Sequence, residues 1–158
     1  VRVLSLTQPW ASLWVAGAKR VETRSWPTSY RGRVAVHATL QRPDDGVCYA
    51  SPFRAALTKL GFDTPADLPL GALLGWVTVN GCLRMQEHHV DLVHDQLCLG
   101  IGCTSWLGPT ERRFGFYAPG RFAWTTGPER FVAARPIYYR GGQGLRNLPD
   151  AVAELLAL

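Results

Sequence analysis

No apolar run in this 158-residue sequence approaches the roughly 18 residues that a membrane-spanning helix requires. The opening segment, Val1 to Leu6, is too short and too soon interrupted by Arg2 and Ser5 to resemble a secretory leader. Cysteine is scarce, at four residues, and none stands in the paired spacing of a structural zinc finger. Without a leader these thiols are expected to be reduced, in a cytoplasmic protein. No glycine-rich loop follows a predicted strand, which disfavours a nucleotide-driven motor or a dinucleotide-dependent dehydrogenase. Repeats, low-complexity tracts and long linkers are lacking too.

Lysine is nearly missing. Of 17 basic side chains 15 are arginine, against 12 acids, for a net charge of +5. Arginine suits bidentate phosphate contacts and stacking on rings. The charge is uneven along the chain: residues 1–43 carry a net +6, residues 44–100 a net −4 and residues 101–158 a net +3. Two basic ends that met in space would offer a surface for an anionic partner; substitution of Arg for Lys throughout would leave the same count. The remaining composition, 47% apolar and 18% charged, is that of a globular protein. The length suits one domain, 1–158, whose core needs neither disulfide nor metal.

Hydrophobic patterning predicts the elements. Val1 to Leu6 alternates as a strand. A helix is expected from Gln8 to Ala16, capped by Thr7 and stopped by Gly17, with Trp10, Leu13 and Trp14 on one face directed at the core. Val21 to Trp26 reads as a strand, Tyr30-Arg31-Gly32 as a turn, and Arg33 to Thr39 as a strand with Val34, Val36 and Ala38 opposite Arg33, Ala35 and His37. Ser51-Pro52 opens a second helix, stopped by Gly61. Gly71 to Leu83 is expected as a central strand, Arg121 to Thr125 and Phe131 to Tyr139 as a pair of strands, and Pro149 as the start of a short C-terminal helix. Strands outnumber helices at irregular spacing. The fold class is therefore α+β, mainly β: a mixed β-barrel with helical insertions and a short C-terminal helix.

The segment Gly17 to Trp26 concentrates chemistry. On a strand Arg20, Glu22 and Arg24 share one side, and Lys19 can approach it. One acid among cations can accept a proton, orient a water or hold a base edge; a plain surface salt-bridge ladder has the same spacing.

These residues also carry a resemblance. Leu4-Ser5-Leu6-x-Gln8-Pro9-Trp10-Ala11, Gly17-x-Lys19-x-x-Glu22-x-Arg24-Ser25-Trp26, Tyr30-Arg31-Gly32 and His37-Ala38 resemble the N-terminal half of an ASCH domain, of the kind found as a stand-alone bacterial or phage protein. Gly71-Ala72-Leu73-Leu74-Gly75 is similar to that family's central strand. Phe122-Ala123-Trp124 and Pro136-x-Tyr138-x-Arg140-Gly141-x-Gln143-Gly144-Leu145 are similar to its closing segment. The resemblance implies a PUA-like barrel whose basic cleft takes RNA or a nucleotide-like ligand. Some relatives hydrolyse the amide of acetylated cytidine with a Lys, a Thr and a Glu. Glu22 stands here where that branch has its Thr, and Thr23 falls on the opposite face, so the hydroxyl is missing where the reaction needs it. Other relatives act as ribonucleases on single-stranded RNA, and others as adaptors of transcription and translation factors.

Two functions are thus expected from one cleft. As an enzyme, a metal-independent ribonuclease or a hydrolase of modified nucleosides, the chain would use Lys19, Glu22 and Arg24, with Glu22 or His37 as base and cations around the phosphorane. As a binding module it would hold single-stranded RNA on cations interleaved with rings. The candidate contacts are Arg20, Trp26, Tyr30, Arg31, Arg33, His37, Arg121, Trp124, Arg140 and Gln143. No cofactor is expected, and a protein partner is compatible with the adaptor role. The run Glu87-His88-His89-x-Asp91-x-x-His94-Asp95, followed by Cys98 and Cys103, offers zinc-type ligands without finger spacing, and no metal site is expected there.

Overall fold

The computed structural model describes residues 1–99 and 106–157. Its frame is a six-stranded curled sheet in the order β2-β8-β4-β3-β1-β9, formed by β1 (Arg2–Leu6), β2 (Val21–Arg24), β3 (Gly32–Ala38), β4 (Ala72–Arg84), β8 (Phe122–Tyr138) and β9 (Leu145–Asn147). Only the β1–β3 pair is parallel; the other pairs are antiparallel. A three-stranded sheet of β5 (Val90–Asp91), β6 (Gln96–Cys98) and β7 (Trp106–Leu107) lies beside it. The helices are α1 (Trp10–Val15), α2 (Asp45–Tyr49), α3 (Phe53–Lys59), α4 (Pro109–Arg113) and α5 (Asp150–Ala153). This is the α+β, PUA-like architecture. No helix among the described residues is long and apolar enough to cross a membrane.

The core explains the order of strands. Residues 34 to 38 of β3 are buried on both faces, because alternate residues serve different packing layers. Val34, Val36 and Ala38 join Leu4, Leu6, Trp14, Val77 and Trp124 in one cluster, while Ala35 joins Val3, Leu73, Trp76 and Leu156 in another. Thus β3 keeps its two-residue alternation without a solvent face. Arg33, at its exposed start, stacks its guanidinium on Trp76 at 4.4 Å.

Several expectations change. The first helix begins at Trp10, and its N-cap is Pro9 rather than Thr7. Gln8 supplies the missing satisfaction, its Oε1 accepting from the Ser12 amide and its Nε2 donating to the Ser12 hydroxyl. The strands expected over Arg121–Thr125 and Phe131–Tyr139 are one 17-residue strand, β8, and both halves pair with β4. Gly127-Pro128-Glu129 forms an irregularity opposite Thr78 instead of a reversing turn, because Thr126 faces Val79 and Arg130 faces Val77. The helix α2 has no counterpart among the expected elements; Asp44 caps it by accepting from the Val47 amide. Between residues 87 and 98 the chain forms a 3₁₀ turn, Glu87–His89, and the short strands β5 and β6.

A bulge positions the strand ends that matter below. The β3–β4 register shifts between Val36 and His37, leaving Leu74 unmatched between Leu73 and Gly75. Gly75 adopts φ +145°, and a Cβ there would overlap the Phe131 carbonyl and the Val15 side chain. Only glycine serves at that position. The extra residue bends β4 and re-aims the end of β3, where His37 lies.

Candidate functional site

Two compartments meet at the end of the sheet, and Ser5, Arg24 and Thr39 line both. The first, of about 1100 Å³, is walled by Trp26, His37, Leu40 and the loop from Tyr138 to Gly144. The second, of about 550 Å³, is walled by Trp10, Phe53, Phe114 and Phe116, with Lys19 and Glu22 in its floor. Together they form one cleft, lined by parts of both chain ends.

The strand β2 builds the floor of the second compartment. Lys19 is 1% exposed; its Nζ lies 2.9 Å from Glu22 Oε2 and also donates to the Val21 carbonyl. Arg24 Nε sits 3.2 Å from Glu22 Oε1, without the alignment of a hydrogen bond, while its Nη2 donates to the Ser5 carbonyl at 3.0 Å. Glu22 therefore bridges two cations, one sealed in the core and the other part-exposed on the cleft wall. Glu111 fixes the start of this strand: its carboxylate accepts from the Arg20 and Val21 amides and from the Tyr117 hydroxyl. Burial pushes the Tyr117 phenol well above its usual range, and the Glu111 charge adds to that.

The first compartment holds a directional chain of hydrogen bonds. His37 Nε2 is 2.9 Å from the Tyr139 carbonyl oxygen, which can only accept, so Nε2 carries the proton. In the neutral ring Nδ1 is then an acceptor, and it lies 3.0 Å from Ser5 Oγ. The Ser5 hydroxyl therefore donates to His37 and accepts from the Gly142 amide at 3.3 Å. Burial lowers the His37 pKa, opposed by its bond to Tyr139, which favours this neutral form. A Cβ at Gly141 would overlap the His37 ring and Ser5 Oγ, so the loop backbone lies directly against the pair. Thr39 Oγ1, at the seam of the two compartments, is buried without a partner among the described residues.

The expected contact residues divide by position. Lys19, Glu22, Arg24, Trp26, His37, Arg140 and Gln143 line the joined cleft. Arg121 stands at its edge, donating to the Thr23 carbonyl and lying 5.0 Å over the Phe116 ring. Trp124 is fully buried; instead of forming a rim it supports Trp26 edge-on at 4.7 Å. Tyr30, Arg31 and Arg33 flank the start of β3, roughly 13 Å along the strand from His37. There Tyr30 donates to the Arg33 carbonyl, and Arg31 to the Thr28 and Tyr30 carbonyls. The Arg20 side chain is exposed. Thr39 and Glu111 carry no motif signal beyond their residue type; Ser5 stands within the Leu4-Ser5-Leu6 stretch of the resemblance, but only the pairing of β1 with β3 sets it against His37.

Among the described residues no three His, Cys, Asp or Glu side chains converge as metal ligands; Cys103 lies outside them. His94 and Asp91 pair with each other, and Asp95 pairs with Arg112 and Arg113.

Comparison with known proteins identifies the family. Activating signal cointegrator 1 of Mus musculus is 44% identical over 85 residues, covering 53% of this chain and 15% of that protein. The protein of the same name from Homo sapiens is 42% identical over 85 residues, with the same coverage. The chain thus matches only a small part of the length of these relatives. The ASCH domain family model matches residues 4–118, a span that takes in residues 4–6 of β1, the floor of the cleft, the bulge and the Phe114–Phe116 wall. With a PUA-like fold built around that span, the chain belongs to the ASCH domain family, a class of domain associated with RNA binding.

Proposed function

We propose that the joined cleft binds single-stranded RNA or a nucleotide-like ligand. The observation that carries this reading is the lining itself. Its charged residues come from residues 1–43 and 101–158, the two basic stretches, while the acidic middle contributes only the uncharged Val47, Phe53 and Gly71. Cations, backbone amides of a glycine-rich loop and exposed rings are the three elements by which single strands are held. Arg24 and Arg140 are suited to phosphate, and Trp26 and Tyr138 to stacking, with Tyr138 89% exposed. Gln143 adds a donor and an acceptor on the loop.

Binding is favoured over RNA cleavage by the occupancy of the groups a cleavage reaction would need. Both Glu22 oxygens face cations. Both His37 nitrogens are hydrogen-bonded within the protein. Fluorescence anisotropy with labelled single-stranded RNA over a salt series tests the reading. Affinity should fall log-linearly with salt, and Arg140→Ala should reduce the slope by about 0.7 for each phosphate contact removed. Absence of saturable binding at low salt would overturn it. Cleavage abolished by Glu22→Gln and insensitive to chelator would make the protein a ribonuclease instead.

A further inference from the structure

We propose that Ser5 and His37 form a nucleophile–base pair for acyl transfer from carboxylic esters bearing a phosphate group, an activity separate from binding. The proposal rests on the anionic-ligand reading of the same cleft for the phosphate, and on the pair itself for the chemistry.

A nucleophilic serine needs a neutral base, fixed in the correct tautomer, at hydrogen-bond distance. His37 meets each condition: the Tyr139 carbonyl takes the Nε2 proton, which leaves the Nδ1 lone pair 3.0 Å from Ser5 Oγ. The carbonyl does what a carboxylate does in a catalytic triad, orienting the ring and accepting from the imidazolium once it forms. The ring is 3% exposed, and before acylation Ser5 Oγ occupies its Nδ1. Ser5, by contrast, lines both compartments. The bulge at Val36/His37 lies at this position, and bulges recur where a side chain must be re-aimed.

Donors for a developing oxyanion stand beside the hydroxyl. The Gly142 amide, 3.3 Å from Oγ, loses its acceptor's basicity once Oγ becomes an ester oxygen. It can then turn to the oxyanion. The Arg24 guanidinium, already bonded to the Ser5 carbonyl at 3.0 Å, is the second. Trp26, Leu40 and Tyr138 offer apolar surface for the acyl group, and Arg140 a cation for the phosphate.

The reaction balances with water as the only co-reactant. A lone pair of Ser5 Oγ bonds to the acyl carbon as the hydroxyl proton passes to His37 Nδ1, and the carbonyl π pair moves to oxygen. Collapse of the oxyanion re-forms the C=O bond and breaks the bond to the alcohol oxygen, which takes the proton from Nδ1. Water then attacks the acyl-serine, giving its proton to Nδ1. That proton returns to Ser5 Oγ as the carboxylic acid leaves.

A fluorophosphonate probe, which phosphonylates an activated serine with loss of fluoride, tests the pair without any assumption about the ester. The expected result is one adduct on the full chain, mapped to Ser5, absent in Ser5→Ala and slowed at least 100-fold in His37→Gln. Glutamine keeps a donor for the Tyr139 carbonyl but removes the base. If that variant does not melt cooperatively, Ser5→Ala and the mapped position carry the result. The 3′-O-acetyl ester of a nucleoside 5′-monophosphate then serves as substrate, with acetate release expected from wild type and not from Ser5→Ala. Folded wild type that takes no adduct at Ser5, or takes it equally fast in His37→Gln, overturns the inference, as does acetate release undiminished in Ser5→Ala. RNA anisotropy on the same wild-type sample separates the two claims: binding without adduct sinks only this inference, whereas an adduct without binding sinks only the reading of the cleft as an RNA site.

Discussion

At the scale of single residues, Lys19 is the clearest case of a charge whose environment decides its value. A buried ammonium is tolerated only where carboxylate and carbonyl oxygens replace its water, and here Glu22 and the Val21 carbonyl do so. Lys19→Ala should therefore destabilise the fold by about 3–5 kcal/mol, since it leaves Glu22 with one cation fewer in a closed floor. Equilibrium denaturation would measure the loss, and a change under about 1 kcal/mol would mean that Lys19 is not committed to the pair.

His37 gives a second residue-scale expectation, this time in pH. Its folded pKa is lowered by burial below the ordinary value of 6.5, so between those two values the unfolded chain binds more protons than the folded one. Stability from this group is complete above 6.5 and is lost as pH falls from there through the folded value. His89, lowered by burial and by His88, works in the same direction. The contribution of His37 is thus the difference between wild type and His37→Gln: melting temperature should fall more steeply below pH 6.5 in wild type, and parallel curves would refute it.

At the scale of elements, the bulge on β4 links packing to the cleft. Gly75→Ala forces a Cβ against the Phe131 carbonyl at a φ that disfavours alanine and should cost about 2–4 kcal/mol. Because the same bulge sets the end of β3, the variant should also weaken ligand binding more than a core substitution of equal cost elsewhere. Matched loss of stability and unchanged affinity would separate the two. The helix α4 acts comparably on β2: Glu111→Ala leaves the Arg20 and Val21 amides without their side-chain acceptor, while the Tyr117 hydroxyl keeps only the Val21 carbonyl, and thermal melting should drop markedly.

Elements also show what could be read beforehand. The strands β1, β3 and β4 and the helices α1 and α3 follow from periodicity with Gly17 and Gly61 as stops, because each is an uninterrupted pattern of the correct period. Helix α2 was illegible because five residues between turn-formers carry no period of their own. The unity of β8 was illegible because Gly127-Pro128 has the composition of a turn, and only pairing with β4 decides otherwise. Within the site, Glu22 and Arg24 were legible because alternation on a strand fixes their common side, and Lys19 because it stands just before that strand; Arg20, expected on the same side, precedes β2 and is exposed. Trp124 was not legible, since a tryptophan beside an arginine suits a core as well as a rim. Ser5 and His37 lie 32 residues apart and meet only through a parallel pairing that periodicity cannot predict.

At the scale of the whole molecule, the two basic stretches of chain supply the charged lining of one cleft, to which the acidic middle adds only uncharged residues. The consequence is electrostatic focusing. Association with RNA should slow as ionic strength rises, and stopped-flow anisotropy would measure that. An association rate insensitive to salt would argue against steering.

The pairing of β1 with β9 has a consequence for biosynthesis. As the chain is made, β1 receives one neighbour from β3 early, yet its other edge stays open until residues 145–147 emerge. Between those two events that edge is a free template for another strand. The cleft, which needs the loop at 140–144, comes into being only once that loop has emerged. Until then no bound ligand can shelter the domain, and chaperone demand should concentrate on the open edge of β1.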